Sequence, residues 1–255
     1  MVTKRIMVLE QAINVVNCFT GLKSTLSLTE LDSMLDIPKS SLHRILVSLT
    51  HKDVLLHDKE RQQYTLGKTF RGWSATMFHR LRLDDIAHPF LESFRNQSGE
   101  TATLSMRVGL MRTYVFMFES SSEVRMSVEL GKMLPLHAGA NGKVILAHMS
   151  PNEIEQTISE IGLYSITPST ITNREKLLDQ LKKIKEEGFA ISAGERVQEA
   201  MTVAAPLFSR DGELIGSIGL HGPASRFTMD MAREWGIILC RAAEEISRNV
   251  AWSKP

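Results

Sequence analysis

The sequence has little with which to cross-link itself: two cysteines, Cys18 and Cys240, stand far apart within helical patterns in a chain of 255 residues. A disulfide scaffold is not an option, and two buried free thiols in a reducing cytoplasm are expected. The sequence also has no run approaching 18 apolar residues, so no membrane-spanning helix is expected. At the N-terminus, basic residues precede an apolar stretch. Glu10, Gln11 and Asn14 interrupt that stretch at helical spacing, and no small-residue cleavage site follows. It reads as an amphipathic helix and not as a signal peptide.

Signatures of catalysis and metal binding are missing too. Gly139-Ala140-Asn141-Gly142-Lys143 is close to a phosphate loop, but His137 stands where its first glycine belongs and Val144 where Ser or Thr belongs. Gly216, Gly219 and Gly222 are spaced three apart, unlike a dinucleotide fingerprint, and fit tight strand packing with a bend before Pro223. His137, His148 and His221 have no zinc spacing, and neither cysteine lies near one of them. No cofactor and no metal are expected. An enzyme, or a module that only oligomerises, remains open for the C-terminal part on these grounds alone.

A strong overall charge is absent as well, the formal net charge being +1. Its distribution is uneven. Residues 1–82 hold 12 Lys and Arg against 7 Asp and Glu, while residues 83–255 hold 18 against 22. A basic head on a mildly acidic body suits binding of nucleic acid at one end.

What is present is organised around residues 26–49. Ser27 and Glu30 form a capping-box pattern. Leu28, Leu31, Met34 and Leu35 then fall on one helical face. Pro38 stops that helix and starts the next, where its missing N–H costs nothing. Leu42, Ile45, Leu46 and Leu49 give the second helix its apolar face. Lys39, Ser40, Ser41, His43 and Arg44 are left pointing outward at its start. Small polar and basic side chains there can meet base edges and phosphates of double-stranded DNA, and Ser27 joins them as a candidate contact. An ordinary helical hairpin with a solvated face would read the same way. The two alternating runs that follow, 54–57 and 63–66, are joined by a polar turn and end at Gly67. They predict a hairpin, and with it a winged helix-turn-helix, with Arg61 at the wing tip against the DNA backbone or minor groove.

The flanks complete the pattern. A first helix is predicted over 4–19, with Ile6, Leu9, Ile13, Val15 and Val16 inward and Gly21 ending it. Residues 69–83 read as a helix carrying Phe70, Trp73, Met77, Phe78 and Leu81 on one side and Arg71, Arg80 and Arg82 elsewhere, which implies a partner surface. Beyond it come a helix over 84–98 and strands at 101–108, 113–119 and 124–128. Helices follow at 138–149, 151–161 and 173–187, then strands at 189–193, 202–208 and 214–220, and a last helix over 229–250. The order predicts an α+β domain, an antiparallel sheet flanked by helices.

The run SSLHRILVSLTHKDVLLHD, with QYTLG after it, resembles the DNA-binding domain of the IclR family of bacterial transcriptional regulators. Ser40, Ser41, Arg44, Leu46, Tyr64, Leu66 and Gly67 stand at the matching places. GKMLPLHAGANGKVILA, EGFAISAGE and VAAPLFSRDGELIGSIGLHGPASRF resemble that family's effector domain. The resemblance implies a DNA-binding domain over 1–68, a linker helix over 69–83 and a GAF-like effector-binding and oligomerisation domain over 84–255. It further implies a homo-oligomer, a dimer or a dimer of dimers, on a pseudo-palindromic operator. It places a small-molecule effector, a small organic acid or catabolite, beside Leu134, Ala140, Asn141, Ser192, Thr202, Gly219 and His221. The chain departs from its relatives near Ser192 and at residues 199–202, where pocket shape and polarity change.

Overall fold

The computed structural model describes residues 6–20, 24–70, 72–73 and 83–250. The chain divides into two compact units, residues 1–79 and 80–255. In the first, helix α1 (Met7–Asn17) is followed by strand β1 (Thr25–Ser27), helices α2 (Leu28–Met34) and α3 (Lys39–His51), and strands β2 (Leu55–Asp58) and β3 (Gln63–Leu66). The capping box forms as expected: the Ser27 hydroxyl accepts from the Glu30 N–H at 3.3 Å, and the Glu30 carboxylate accepts from the Ser27 N–H at 2.8 Å. Leu31, Leu42, Ile45, Leu46, Leu55 and Tyr64 form the core with Val15 and Phe19. The wing is a three-stranded antiparallel sheet in the order β1-β3-β2, because Thr25–Ser27 adds a short strand that its three residues do not announce.

Two faces differ from the expectation. In α1, Ile6, Leu9 and Ile13 are 57–62% exposed, and Val15 is the residue driven inward, with Ala12 beside it. In α2, Met34 is 56% exposed while Leu28, Leu31 and Leu35 meet the core. Each helix carries more apolar positions than its buried side can seat. Residues 68–70 and 72–73 are helical, Phe70 meets Trp73 edge to face at 5.4 Å, and Trp73 is exposed. Residues 1–5, 21–23, 71 and 74–82, with the expected Met77, Phe78, Leu81, Arg71, Arg80 and Arg82, lie outside the described residues.

The second unit is an antiparallel sheet between helices. Helix α4 (Leu83–Ser98) leads into β4 (Thr101–Val108), β5 (Met111–Phe118) and β6 (Met133–Pro135). Helices α5 (Ala140–Ala147), α6 (Pro151–Glu160) and α7 (Arg174–Glu187) follow, then β7 (Ala190–Ala193), β8 (Ala200–Phe208), β9 (Leu214–Pro223) and helix α8 (Met229–Asn249). The strand order is β6-β5-β4-β9-β8-β7. The expected strand at 124–128 is irregular chain, and the third strand is formed instead by Met133–Pro135 pairing with β5. On one face of the sheet, Val144, Ile145, Leu177, Leu181 and Ile184 of α5 and α7 bury Ala190 and Ala204. On the other, α8 lies along β8 and meets α4 through Phe94 and Trp235, whose rings are 5.9 Å apart. Cys18 and Cys240 are half-buried rather than buried, with their thiols donating to Asn14 and Gly188 carbonyls.

β9 runs through the middle of the sheet, and Gly216 sits where it crosses β4. A Cβ there would overlap the Ser105 carbonyl oxygen, backbone that cannot step aside. Gly216→Ala should destabilise the larger unit by about 2–4 kcal/mol, the range of overpacked interior sites. Urea unfolding followed by circular dichroism checks this, and an unchanged midpoint would contradict it.

Candidate functional site

Two surfaces gather the candidate residues. The first is the start of α3. Lys39, Ser40, His43 and Arg44 are exposed and Ser41 is half-exposed. Leu42, Ile45 and Leu46 on the opposite side hold the helix to its core. Val47, 53% exposed, extends the same outward face by one turn beyond Ser40, His43 and Arg44. Its apolar character hid it from a search for polar contacts, yet an exposed branched side chain suits a thymine methyl group. Ser27 lies at the head of α2, with its hydroxyl engaged by Glu30 at 2.8 Å. Arg61 stands at the wing tip, its side chain 80% exposed and 4.0 Å from the Asp58 carboxylate. The Asp58 carboxylate accepts the Glu60 and Arg61 N–H groups at 3.0 and 3.1 Å, which shapes that turn.

The second is a cavity of about 230 Å³ between the sheet and the start of α5. Leu134, Ala140, Asn141, Ser192, Thr202 and His221 all line it. Strand register explains part of this: Ser192 faces Thr202 and Thr202 faces His221, one row across β7, β8 and β9. Gly219 is not in the lining. It stands one row behind, where a Cβ would come within 2.9 Å of the Asn141 amide nitrogen, so its bareness seats Asn141. Asn141 in turn donates to the Ser217 hydroxyl at 3.1 Å, tying α5 to the sheet and leaving its own amide oxygen buried without a partner.

Helix α5 starts at Gly139, whose φ of +84° few other residues adopt. Its lysine is not available to a phosphate. Lys143 is fully buried and ion-paired with Glu195, and it also donates to Gln180 at 2.7 Å. The Glu195 carboxylate accepts the Gly139 N–H at 3.0 Å as well. His137 bonds to the Tyr164 carbonyl at 3.0 Å, and His148 to the Val144 carbonyl at 2.8 Å. Each of these histidines thus has its own local partner, and no group of three His, Cys, Asp or Glu gathers among the described residues.

Sequence reasoning missed the cationic wall. Arg112 of β5 is 1% exposed, its guanidinium over the Tyr114 ring at 4.6 Å and 3.4 Å from the Ser105 hydroxyl. Arg196 reaches the Tyr114 hydroxyl at 3.4 Å. Both Nε atoms are buried without a partner, and neither guanidinium is ion-paired with any described residue. Burial pushes the Arg112 guanidinium below its ordinary range, with Tyr114 opposing and Arg196 adding to that shift. His221 sits in the same field. Burial first, then the Arg112 and Arg196 charges, lower its pKa to about 3, and its Nε2 lies 2.8 Å from the Thr103 hydroxyl. The imidazole is therefore neutral near pH 7.

A histidine whose folded pKa falls from 6.5 to about 3 binds its proton more readily in the unfolded chain. Its contribution is complete above pH 6.5 and is lost as pH falls through that window towards 3. His221→Gln should therefore flatten the acid limb of the stability curve, by up to about 1.4 kcal/mol per pH unit. Unfolding midpoints of both proteins between pH 4 and 7 test it, and parallel limbs would contradict it.

Known proteins resemble both units of the chain. The IclR helix-turn-helix domain matches residues 8–59, and the C-terminal domain of bacterial transcriptional regulator IclR matches residues 75–248. The HTH-type transcriptional regulator KipR of Bacillus subtilis is 32% identical over 231 residues, covering 91% of this chain and 92% of KipR. A crystal structure of an IclR transcriptional regulator from Silicibacter sp. TM1040 superposes with a TM-score of 0.91 at 21% identity, covering 97% of this chain and 98% of that one. An IclR homolog from Microbacterium hydrocarbonoxydans, crystallised with 4-hydroxybenzoate, gives 0.76 at 22% identity, covering 94% and 97%. With both units matched over most of their length, the chain belongs to the IclR family of bacterial transcriptional regulators.

Proposed function

We propose that this regulator reads its operator through the N-terminal face of α3 and that a small organic anion in the sheet cavity changes its operator affinity. The single observation that carries the reading is the pairing of an exposed basic helix start, free of ion pairs among the described residues, with a separate polar cavity of small-molecule size. Lys39, Ser40, Ser41, His43 and Arg44 would enter the major groove or meet its phosphates, with Ser27 and Arg61 on the flanking backbone. Asn141, Thr202 and His221 would direct hydrogen bonds to the effector, and the N–H groups at the head of α5 favour an anionic group. The ligand seen in the Microbacterium hydrocarbonoxydans homolog is an aromatic acid, which agrees in chemical class.

The mechanism is linkage. An effector that binds one arrangement of the chain better than another shifts the equilibrium by that difference in affinity, and operator affinity follows. The protein would act in the cytoplasm as a regulator and not as an enzyme, returning its ligand unchanged. One reading head spans too few base pairs for a unique site, so a homodimer, or a pair of dimers, on a pseudo-palindrome is the proposed unit. Residues 69–83, with Phe70, Trp73 and Met77, are the proposed subunit contact between the domains at 1–68 and 84–255.

Arg44→Ala should weaken operator binding by about 1–3 kcal/mol if it reads a base, and should relax preference at that base pair. Fluorescence anisotropy on the operator and on a single-position mutant series measures both. Wild-type affinity in a variant with native circular dichroism would remove Arg44 from the interface. Sedimentation of the full chain at micromolar concentration should give a dimer or a tetramer, and a monomer with and without DNA would refute the proposed assembly.

A further inference from the structure

The cavity contains more positive charge than the chain neutralises. Three of its charged lining residues have partners: Lys132 is paired with Glu129 at 2.9 Å, and Glu195 is spent on Lys143 behind the wall. Arg112 and Arg196 remain, both lining the cavity and both without a carboxylate partner among the described residues. Tyr114 holds the two side chains to one corner, Arg112 on its ring face and Arg196 at its hydroxyl. Gly139 marks where they converge: a Cβ there would lie 3.0 Å from Arg196 Cδ and 3.9 Å from Arg112 Nη2. The corner is therefore also the head of α5, where backbone N–H groups add further donors.

A guanidinium buried at 1% exposure with an unpaired Nε costs free energy unless something supplies the counter-charge. The two carboxylates that line the cavity, Glu129 and Glu195, are paired with lysines. We infer that the effector carries two negative charges, with Arg112 and Arg196 as the residues that select a dianion over a monoanion. This rests on the reading of the cavity as the effector site. The cavity, about 230 Å³, favours a small ligand. Short dicarboxylates fit, and so does a phosphate-sized group, which concentrates the same charge at one centre. The neutral His221 supports the assignment, because its imidazole leaves the arginines as the cationic partners of the ligand.

Isothermal titration of the full chain at pH 7.5 with matched pairs tests the inference: malonate against propionate, succinate against butyrate, glutarate against valerate, and inorganic phosphate alongside. At least one dicarboxylate, or phosphate, should bind about ten- to a hundredfold tighter than the monoacids, the worth of charge-assisted hydrogen bonds to a second anionic group. Arg112→Gln and Arg196→Gln should each lower the affinity for the dianion more than that for the matched monoacid, and so remove most of that preference. Without ligand, Arg112→Gln should melt at or above the wild-type temperature, because it removes a buried charge that lacks a partner. A lower melting temperature with the preference intact would mark Arg112 as structural and overturn the proposal. Equal binding of monoacid and diacid would also overturn it. If a monoacid binds as tightly as its matched diacid and loses affinity in Asn141→Ala, the cavity reading stands and the dianion falls. If no probe binds at millimolar concentration, both readings fall.

Discussion

The buried ion pair between Lys143 and Glu195 holds the sheet cavity together. Lys143 belongs to the helix that forms one wall, and Glu195 to the loop that carries Arg196 into the other. The pair joins them in the dry interior, where attraction between charges is strong and the cost of leaving either one alone is stronger still. Glu195 does more than neutralise the lysine. Its second oxygen takes the Gly139 N–H, and its backbone carbonyl accepts from the Thr170 hydroxyl at 2.7 Å. Thr167 bonds the neighbouring Gly194 carbonyl at 2.6 Å. The loop from 194 to 197 is thereby fixed from three directions, and the arginine it presents has little freedom to find another partner.

Helix α5 shows the same economy. All eight of its residues are buried, which a helix can tolerate only when small side chains let it approach its neighbours closely. Ala140, Gly142 and Ala147 supply that bareness, while Asn141 and Lys143 bring in polar groups with partners waiting on the sheet and loop. Helix α3 follows the opposite rule: the side chains at its start are exposed, and three apolar residues on its other side hold it to its core.

Much of the fold was legible because caps and periodicity are local. Ser27 with Glu30 marks a helix start that the backbone then follows, and the helices read over 151–161 and 173–187 begin at Pro151 and Arg174. Where the reading failed, the missing information was not local. In α1, apolar residues occupy both sides, and hydropathy cannot tell which side has a partner, so Ile6, Leu9 and Ile13 read as inward together with Val15 and Val16, while Val15 is the one buried. Met133–Pro135 becomes a strand because β5 offers an edge, a fact about β5 and not about those three residues. The site divided in the same way. Asn141, Thr202 and His221 could be named from the family resemblance. Arg112 and Arg196 could not, because an arginine in a sequence does not say whether a carboxylate awaits it.

The row formed by Ser192, Thr202 and His221 also bears on how such a site changes over generations. Three neighbouring strands each contribute one side chain to the cavity, and the backbone ladder between them does not depend on what those side chains are. Substitutions at these three positions can therefore change a hydroxyl, a charge or a ring in the cavity while the strand pairing is kept. The lining of the cavity can thus change in small steps across this row while the sheet stays as it is.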